Sequence, residues 1–489
     1  MLKTLFVLPV AATLSLLVFL SFSFAQTNYI TPQEFGAAGD GYHDDTAAIQ
    51  AAVNAAGSPS DTVYIPKATY IVSATINITQ PVHILGDGPL SSIIKTTASK
   101  GDVLSVSASG VKIENLQFLS SVPRTSGSFV NFMPNTSQVT LRDFSMYGAY
   151  IGVTDQAGEE SRIQNGTIFG GVSTLGSAGI VVNGGNDAYI TQITMDAPAW
   201  SQPWAGIQIL STGCVNITDC DIVHHTNDLL INPVNNAVAS VNVANTYFDT
   251  AANGIFINPS GNGVVLRCRF IGCWTSSHVN SGVTIRADGS SLVDGIEFIG
   301  HHCFLNGLQY AEPGFAVLAG TGKTLNIRVN GGSFSGNGGS GIEISAGITD
   351  FSIIGARMGS GFAVPGNTQW GIQVNPGNSN NYVIEGNDLR GNGLAGLSDG
   401  GTGATKSVIN NLGYNPLGQS PIVVGASPFQ WTNNLGFPVV MQVNGGAVYS
   451  IWFAGVNIGT STQSLLVPQG QTVTVTYSSA PQMSCYGLF

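Results

Sequence analysis

From about residue 179 the chain repeats one short phrase, a small residue followed by an apolar, any, apolar triplet. The phrase opens at Gly179, Gly206, Asp228, Gly254, Gly282, Gly314, Gly341 and Gly371, with gaps of 22 to 32 residues. Later in each unit a second strand ends on an apolar residue, at Ile222, Phe248, Phe270, Phe298, Phe334, Met358 and Leu389. Strands this short bury no face alone. Stacked about 4.8 Å apart as successive coils, they enclose one continuous core. A leucine-rich solenoid would need a Leu/Asn consensus that is absent, and a propeller would need four strands per unit. The repeat therefore predicts an all-β solenoid, a single-stranded parallel β-helix over residues 26–415. Asn232 and Asn258 fall at one position on adjacent coils and are expected to bond along the axis. Arg269 with Glu297, and Arg357 with Asp388, are neighbours by register and read as surface ion pairs worth little each.

Composition suits stacked strands and polar turns. Charged residues make up 9% of the chain, against about a quarter in an ordinary globular domain. The net charge is −11 at pH 7, and no basic cluster interrupts it, which argues against nucleic acid or an anionic membrane surface as partner. Six cysteines are too few for a disulfide scaffold, and their spacings lack a zinc pattern. Buried thiols are the expectation. No cluster has the closely spaced acids of a strong calcium site, so no metal or cofactor is expected.

Both ends differ from the middle. Residues 1–25 join Lys3 to a long apolar run and the small residues Ser23 and Ala25, the pattern of a cleaved export signal. The expected location is secreted, extracellular or at the cell surface, with no membrane contact after signal removal. Residues 416–489 carry alternating strands punctuated by Asn444, Gly445, Gly446 and Gly470, which reads as a small antiparallel β-module capping the solenoid.

After the signal, Phe35 to Ala56 reads FGAAGDGYHDDTAAIQAAVNAA. Gly36, Gly39 and Gly41 mark tight turns, and Asp44 or Asp45 caps a short helix whose Ile49, Val53 and Ala56 recur at helical spacing. Such a helix covers the open end of a β-helix, whose strand edges would otherwise lie bare. This segment resembles the opening of the pectate-lyase-like superfamily of right-handed parallel β-helices. That group includes polysaccharide lyases, family 28 and 55 glycoside hydrolases, sugar epimerases and phage tailspikes. Ala68, where members often carry Gly, is a small departure. The acids Asp40, Asp44 and Asp45 read as structural.

The resemblance implies a glycan groove along one sheet, fed by residues from successive coils. In family 28 hydrolases the catalytic aspartates precede the repeat strand, where this chain has His224, His225, Thr226, Asn227 and Asp228. Asp228 holds the place that Gly takes in the seven other units. The companion Gly-His-Gly is missing, so that family's mechanism does not transfer. By coil counting, Asp196, His225 and Asp249 gather near Asp228, and these four are the candidate catalytic residues. Trp200, Trp204, His224, Phe256 and Arg286 are candidate substrate contacts, the aromatics for sugar faces and Arg286 for a uronate carboxylate. Glu343, some four coils away, is too far to partner Asp228. The alternative for the Asp and His residues is turn chemistry, in which they bond to backbone. The expected function is a polysaccharide hydrolase or lyase; the competing reading is a non-catalytic glycan-binding, tailspike-like adhesin or structural surface protein. Tailspike relatives suggest a trimer, but no coiled-coil signal supports one.

Overall fold

The computed structural model describes residues 29–57, 61–171, 175–197, 203–360, 364–415 and 417–487. The proposed export signal lies outside these residues. The repeat strands form a 13-stranded parallel sheet that runs from Ile76–Ile78 to Ala395–Gly401. The strands between them form a second, 26-stranded parallel sheet that wraps the remaining sides. The fold is thus a β-solenoid of about 13 coils, as the repeat predicts.

Each coil is bent by single non-glycine residues in the left-handed region, recurring at fixed places. Asp219, Asn245 and Asn410 mark one bend (φ 55°, 49° and 58°), and His224, Thr250, Ser277 and Leu305 mark the next (φ 62°, 56°, 59° and 58°). Asn and Asp tolerate this conformation best, and the coil-to-coil hydrogen bonds hold the others in it. The interior is a stack of Ile, Val and Phe, with Phe270 and Phe298 face to face at 4.5 Å and Phe351 and Tyr382 likewise.

The glycine that opens each repeat has a steric cause. At Gly179 and Gly206 the space a Cβ would need is taken by Met195 and Ile222; from Gly254 onward it is taken by the inward residue just after the second bend. A Cβ on Gly282 would meet Asn306 Nδ2 at 2.8 Å; on Gly314, Asn337 Nδ2 at 2.5 Å; on Gly371, Asn392 Nδ2 at 2.7 Å. These inward amides form a ladder, with Asn306 Nδ2 donating to Asn337 Oδ1, Asn337 Nδ2 to Asn367 Oδ1, and Asn367 Nδ2 to Asn392 Oδ1 (3.1, 2.8 and 2.8 Å). Each buried amide is satisfied by the next coil.

Some sequence expectations shift by one contact. The strand landmarks slip at Phe270 and Phe298, which belong to the neighbouring strand. The true successors of Ile222 and Phe248 are Thr275 and Cys303. Asn232 accepts from Gln208 Nε2 (3.0 Å), while Asn258 donates to the Arg286 carbonyl and Asp288 (3.1 and 3.0 Å), in place of the expected Asn–Asn bond. Arg269 and Glu297 do pair, at 3.0 Å; Arg357 and Asp388 are register neighbours as expected, and Asp388 also pairs with Arg390 at 2.8 Å on its own coil. All six cysteines are free thiols, and five are buried.

The helix Thr46–Ala55 buries Ile49 and Val53, with Ala56 just past its end, against the first coils. Asp44 takes the Thr46 amide at 3.0 Å, whereas Asp45 turns back to the Ala38 amide at 2.6 Å. At the other end, two four-stranded antiparallel sheets over residues 420–487 enclose their own core around Phe437, Val439 and Met441. Tyr414 packs against both cores, and Gln469 donates to the Lys406 carbonyl, so this unit covers the last coil.

Candidate functional site

The left-handed bend at His224 sends two adjacent histidines in opposite directions. His224 faces solvent, and its Nδ1 lies 2.7 Å from Asp196 Oδ1, each side chain 41% exposed. His225 turns inward and is 2% exposed.

Asp228 follows His225 into the interior and is 0% exposed, so it does not reach a groove; this corrects its reading as a substrate-facing catalytic group. On the next coil the inward ladder position is Ala251, too small to fill it. Asp228 bridges that gap, its Oδ2 3.0 Å from His278 Nε2 two coils on. His278 Nδ1 in turn lies 2.7 Å from Asn306 Oδ1, at the head of the amide ladder. Burial holds Asp228 well above the usual carboxylate range and pushes His278 down to about 4 and His225 down to about 3. Both shifts favour uncharged partners. A protonated Asp228 donates to His278 Nε2, whose Nδ1–H donates to Asn306. Asp228 replaces the repeat glycine because it completes this ladder.

The open chemistry lies on the outer side of the second strand. Phe169, Asp196, Val223, Asp249, Ser276 and Phe304 are aligned coil after coil in one outward column. A parallel column two residues earlier carries Thr194, Asp221, Tyr247, Trp274 and His302. Asp249 accepts from Ser276 Oγ and Thr250 Oγ1 (2.8 and 2.9 Å). Asp221 sits diagonally between Asp196 and Asp249, about 8 Å from each along the backbone lattice. Partial burial, and then the charges of Asp249 and Asp196, raise its pKa. Tyr247, Trp274 and Phe304 form an aromatic run, with ring centroids 4.7 and 5.3 Å apart. It ends in a cleft of about 230 Å³ lined by Trp274, His302, Phe304, Ser333 and Arg357.

Of the sequence-predicted residues, the structure brings together Asp196, His224 and Asp249. Trp204 and Phe256 lie around the corner, in an apolar patch with Val181 and Leu230 on the repeat sheet. Arg286 is at the far end of its strand, paired with Asp288 at 2.9 Å and about 16 Å from Asp228 by lattice counting. Trp200 lies outside the described residues. Sequence reasoning missed Asp221, Tyr247, Trp274 and Phe304. The signal for the first two was present, since each directly precedes an inward landmark, Ile222 or Phe248. Among the described residues no group of three acids, histidines or cysteines is arranged for a metal ion.

Comparison with known proteins bears on the fold and the family. The Dettilon tailspike protein superposes over 94% of this chain and 94% of its own, with a TM-score of 0.61 and 12% identity. A tailspike mutant of E. coli bacteriophage HK620, solved in complex with a hexasaccharide, covers 94% and 93% with a TM-score of 0.52 and 10% identity. These likenesses concern the fold. The mannuronan C5-epimerase AlgE2 of Azotobacter vinelandii is 45% identical over 71 residues, 13% of this chain and 7% of that protein's length. The family model for rhamnogalacturonase A/epimerase, pectate lyase-like proteins matches residues 30–278, a stretch that holds Asp196, Asp221, His224, Tyr247, Asp249 and Trp274. By that match, this chain belongs to the rhamnogalacturonase A/epimerase, pectate lyase-like family, whose parallel β-helix it builds.

Proposed function

We propose that this protein is an exported glycoside hydrolase that cleaves polysaccharide across the outward face of residues 196–304. The observation that carries this reading is Asp221, a carboxyl group with a raised pKa, set between two further carboxylates and beside an aromatic run. Sugar rings stack their C–H faces on Tyr247, Trp274 and Phe304 while hydroxyls meet the polar column. Asp221, the carboxyl of the three whose pKa is raised, serves as general acid toward the glycosidic oxygen. Asp249 or Asp196, the latter held by His224, then activates water. A spacing of about 8 Å leaves room for that water and suits inversion at the anomeric carbon. Partial burial first, and then the charges of Asp249 and Asp196, disfavour the ionised form of Asp221.

The test is a panel of neutral and acidic polysaccharides, read for new reducing ends and for ultraviolet-absorbing unsaturated ends. Reducing ends without unsaturation support the hydrolase; unsaturated ends make it a lyase. Binding with neither product makes it a glycan-binding protein. Asp249→Asn should move the NMR titration of the Asp221 carboxyl to lower pH, because removing a neighbouring negative charge favours its ionised form. An unmoved titration breaks the coupling that makes Asp221 the acid.

A further inference from the structure

A second groove lies on a different face, past the bend at Asn245 and its equivalents. It measures about 550 Å³ and is lined by Asn242, Arg267, Arg269, Glu297, Asn326 and Arg328. Asn242, Arg269, Glu297 and Arg328 are aligned on four consecutive coils. Arg267 occupies the left-handed bend at the groove wall (φ 54°), and Gly295, at the same bend one coil on, adds no side chain. The groove continues past Arg328 and Asn326 into a hollow of about 320 Å³ that reaches Ser352 and Asp350. Asn242 to Ser352 spans about 19 Å, the reach of an oligosaccharide rather than a single sugar.

The charges here are incompletely used. Glu297 is engaged by Arg269 Nε and Asn330 Nδ2 (both 3.0 Å), and Asp294 by Asn326 Nδ2 (2.7 Å). Arg267 and Arg328 are exposed, and their guanidinium groups make no hydrogen bond or ion pair within the described residues. In a chain of net charge −11 with only 16 Lys and Arg, three arginines converge on this one groove. A guanidinium offers a planar fork of donors matched to a carboxylate, and Asn242 and Asn326 supply amides suited to hydroxyls.

We propose that this groove is a second glycan site, selective for carboxylated (uronate) oligosaccharides, with Arg267 and Arg328 as the carboxylate contacts. It is independent of the carboxylate–aromatic face and holds a chain without cleaving it. The experiment is calorimetric titration of the full protein with oligogalacturonate, oligoglucuronate and oligomannuronate, each as free acid and as its neutral methyl ester. At least one free acid binds, its ester binds about tenfold or more weakly, and high salt weakens the acid. Arg267→Ala combined with Arg328→Ala removes the acid preference without changing the melting temperature; the Lys replacements retain part of it. Trp274→Ala leaves this binding unchanged, which separates it from the other face. Equal binding of acid and ester, no binding by any acid, or indifference to the double Arg variant overturns the proposal.

Discussion

Two histidine–aspartate pairs of this protein, His224 with Asp196 and His278 with Asp228, are built from the same residue types a few coils apart. In the first, both side chains are 41% exposed; in the second, both are fully enclosed. The outer pair has water on one side and room for a ligand. The inner pair is held neutral by burial and continues into an asparagine ladder, so its work is to satisfy buried polar groups along the coils. Composition alone does not separate such pairs. The bend at His224, which turns one residue out and the next in, does.

The strongest way to break this comparison is to change one carboxyl on each side. Asp221→Asn should lower turnover by about 10³-fold, the usual worth of a general acid, with the melting temperature unchanged. Asp228→Asn should leave turnover intact and change stability by less than about 1 kcal/mol, because the amide donates to His278 as the neutral acid does. Removing the inner partner is a different matter. His278→Ala strips the bridge from both Asp228 and Asn306 and opens a hole, costing about 3 kcal/mol in denaturant unfolding; a loss under about 0.5 kcal/mol would contradict the ladder.

The inner groups also set a pH dependence. His225, His278 and His301 stay neutral in the fold down to about 3, 4 and 3. The unfolded chain binds protons on these three near pH 6.5. Their contribution to stability is therefore complete above about 6.5 and declines as pH falls toward 4. Asp228 acts in the opposite sense, since the fold keeps a proton that the unfolded chain releases above about 4. The three histidines outnumber the one carboxyl, so the balance is a loss of stability on acidification below 6.5. Thermal melts between neutral pH and about pH 5 check it, and a flat profile would show that the histidines charge freely. On the outer face, Trp274→Ala should weaken oligosaccharide binding about tenfold while sparing the fold, as loss of one stacking surface does.

The solenoid, its capping helix and its covering module were legible because each follows from periodicity or from a long local motif. The repeat glycines were legible as a signal but not as a cause, since the cause is a side chain from elsewhere in the coil stack, an asparagine at Gly282, Gly314, Gly341 and Gly371. Asp228 was singled out for breaking the glycine pattern, and that break is real. Its meaning depended on Ala251, one coil away, leaving a gap that only the folded register reveals. Asp196, His224 and Asp249 were gathered by counting coils around the landmarks Ile222 and Phe248. Trp274 and Phe304 escaped because their inward neighbours are Thr275 and Cys303, and two phenylalanines on the adjacent strand mimic the missing landmarks. Where small residues hold an inward column, apolar counting loses its place.

The central claim is that the open column, and not the enclosed pair or the apolar patch beside Trp204, meets the glycan. A crystal structure of Asp221→Asn with an oligosaccharide substrate tests it directly. The account predicts a sugar ring stacked on Trp274, with a glycosidic oxygen within hydrogen-bond reach of residue 221. A chain lying instead over Trp204 and Phe256 on the repeat sheet would contradict it.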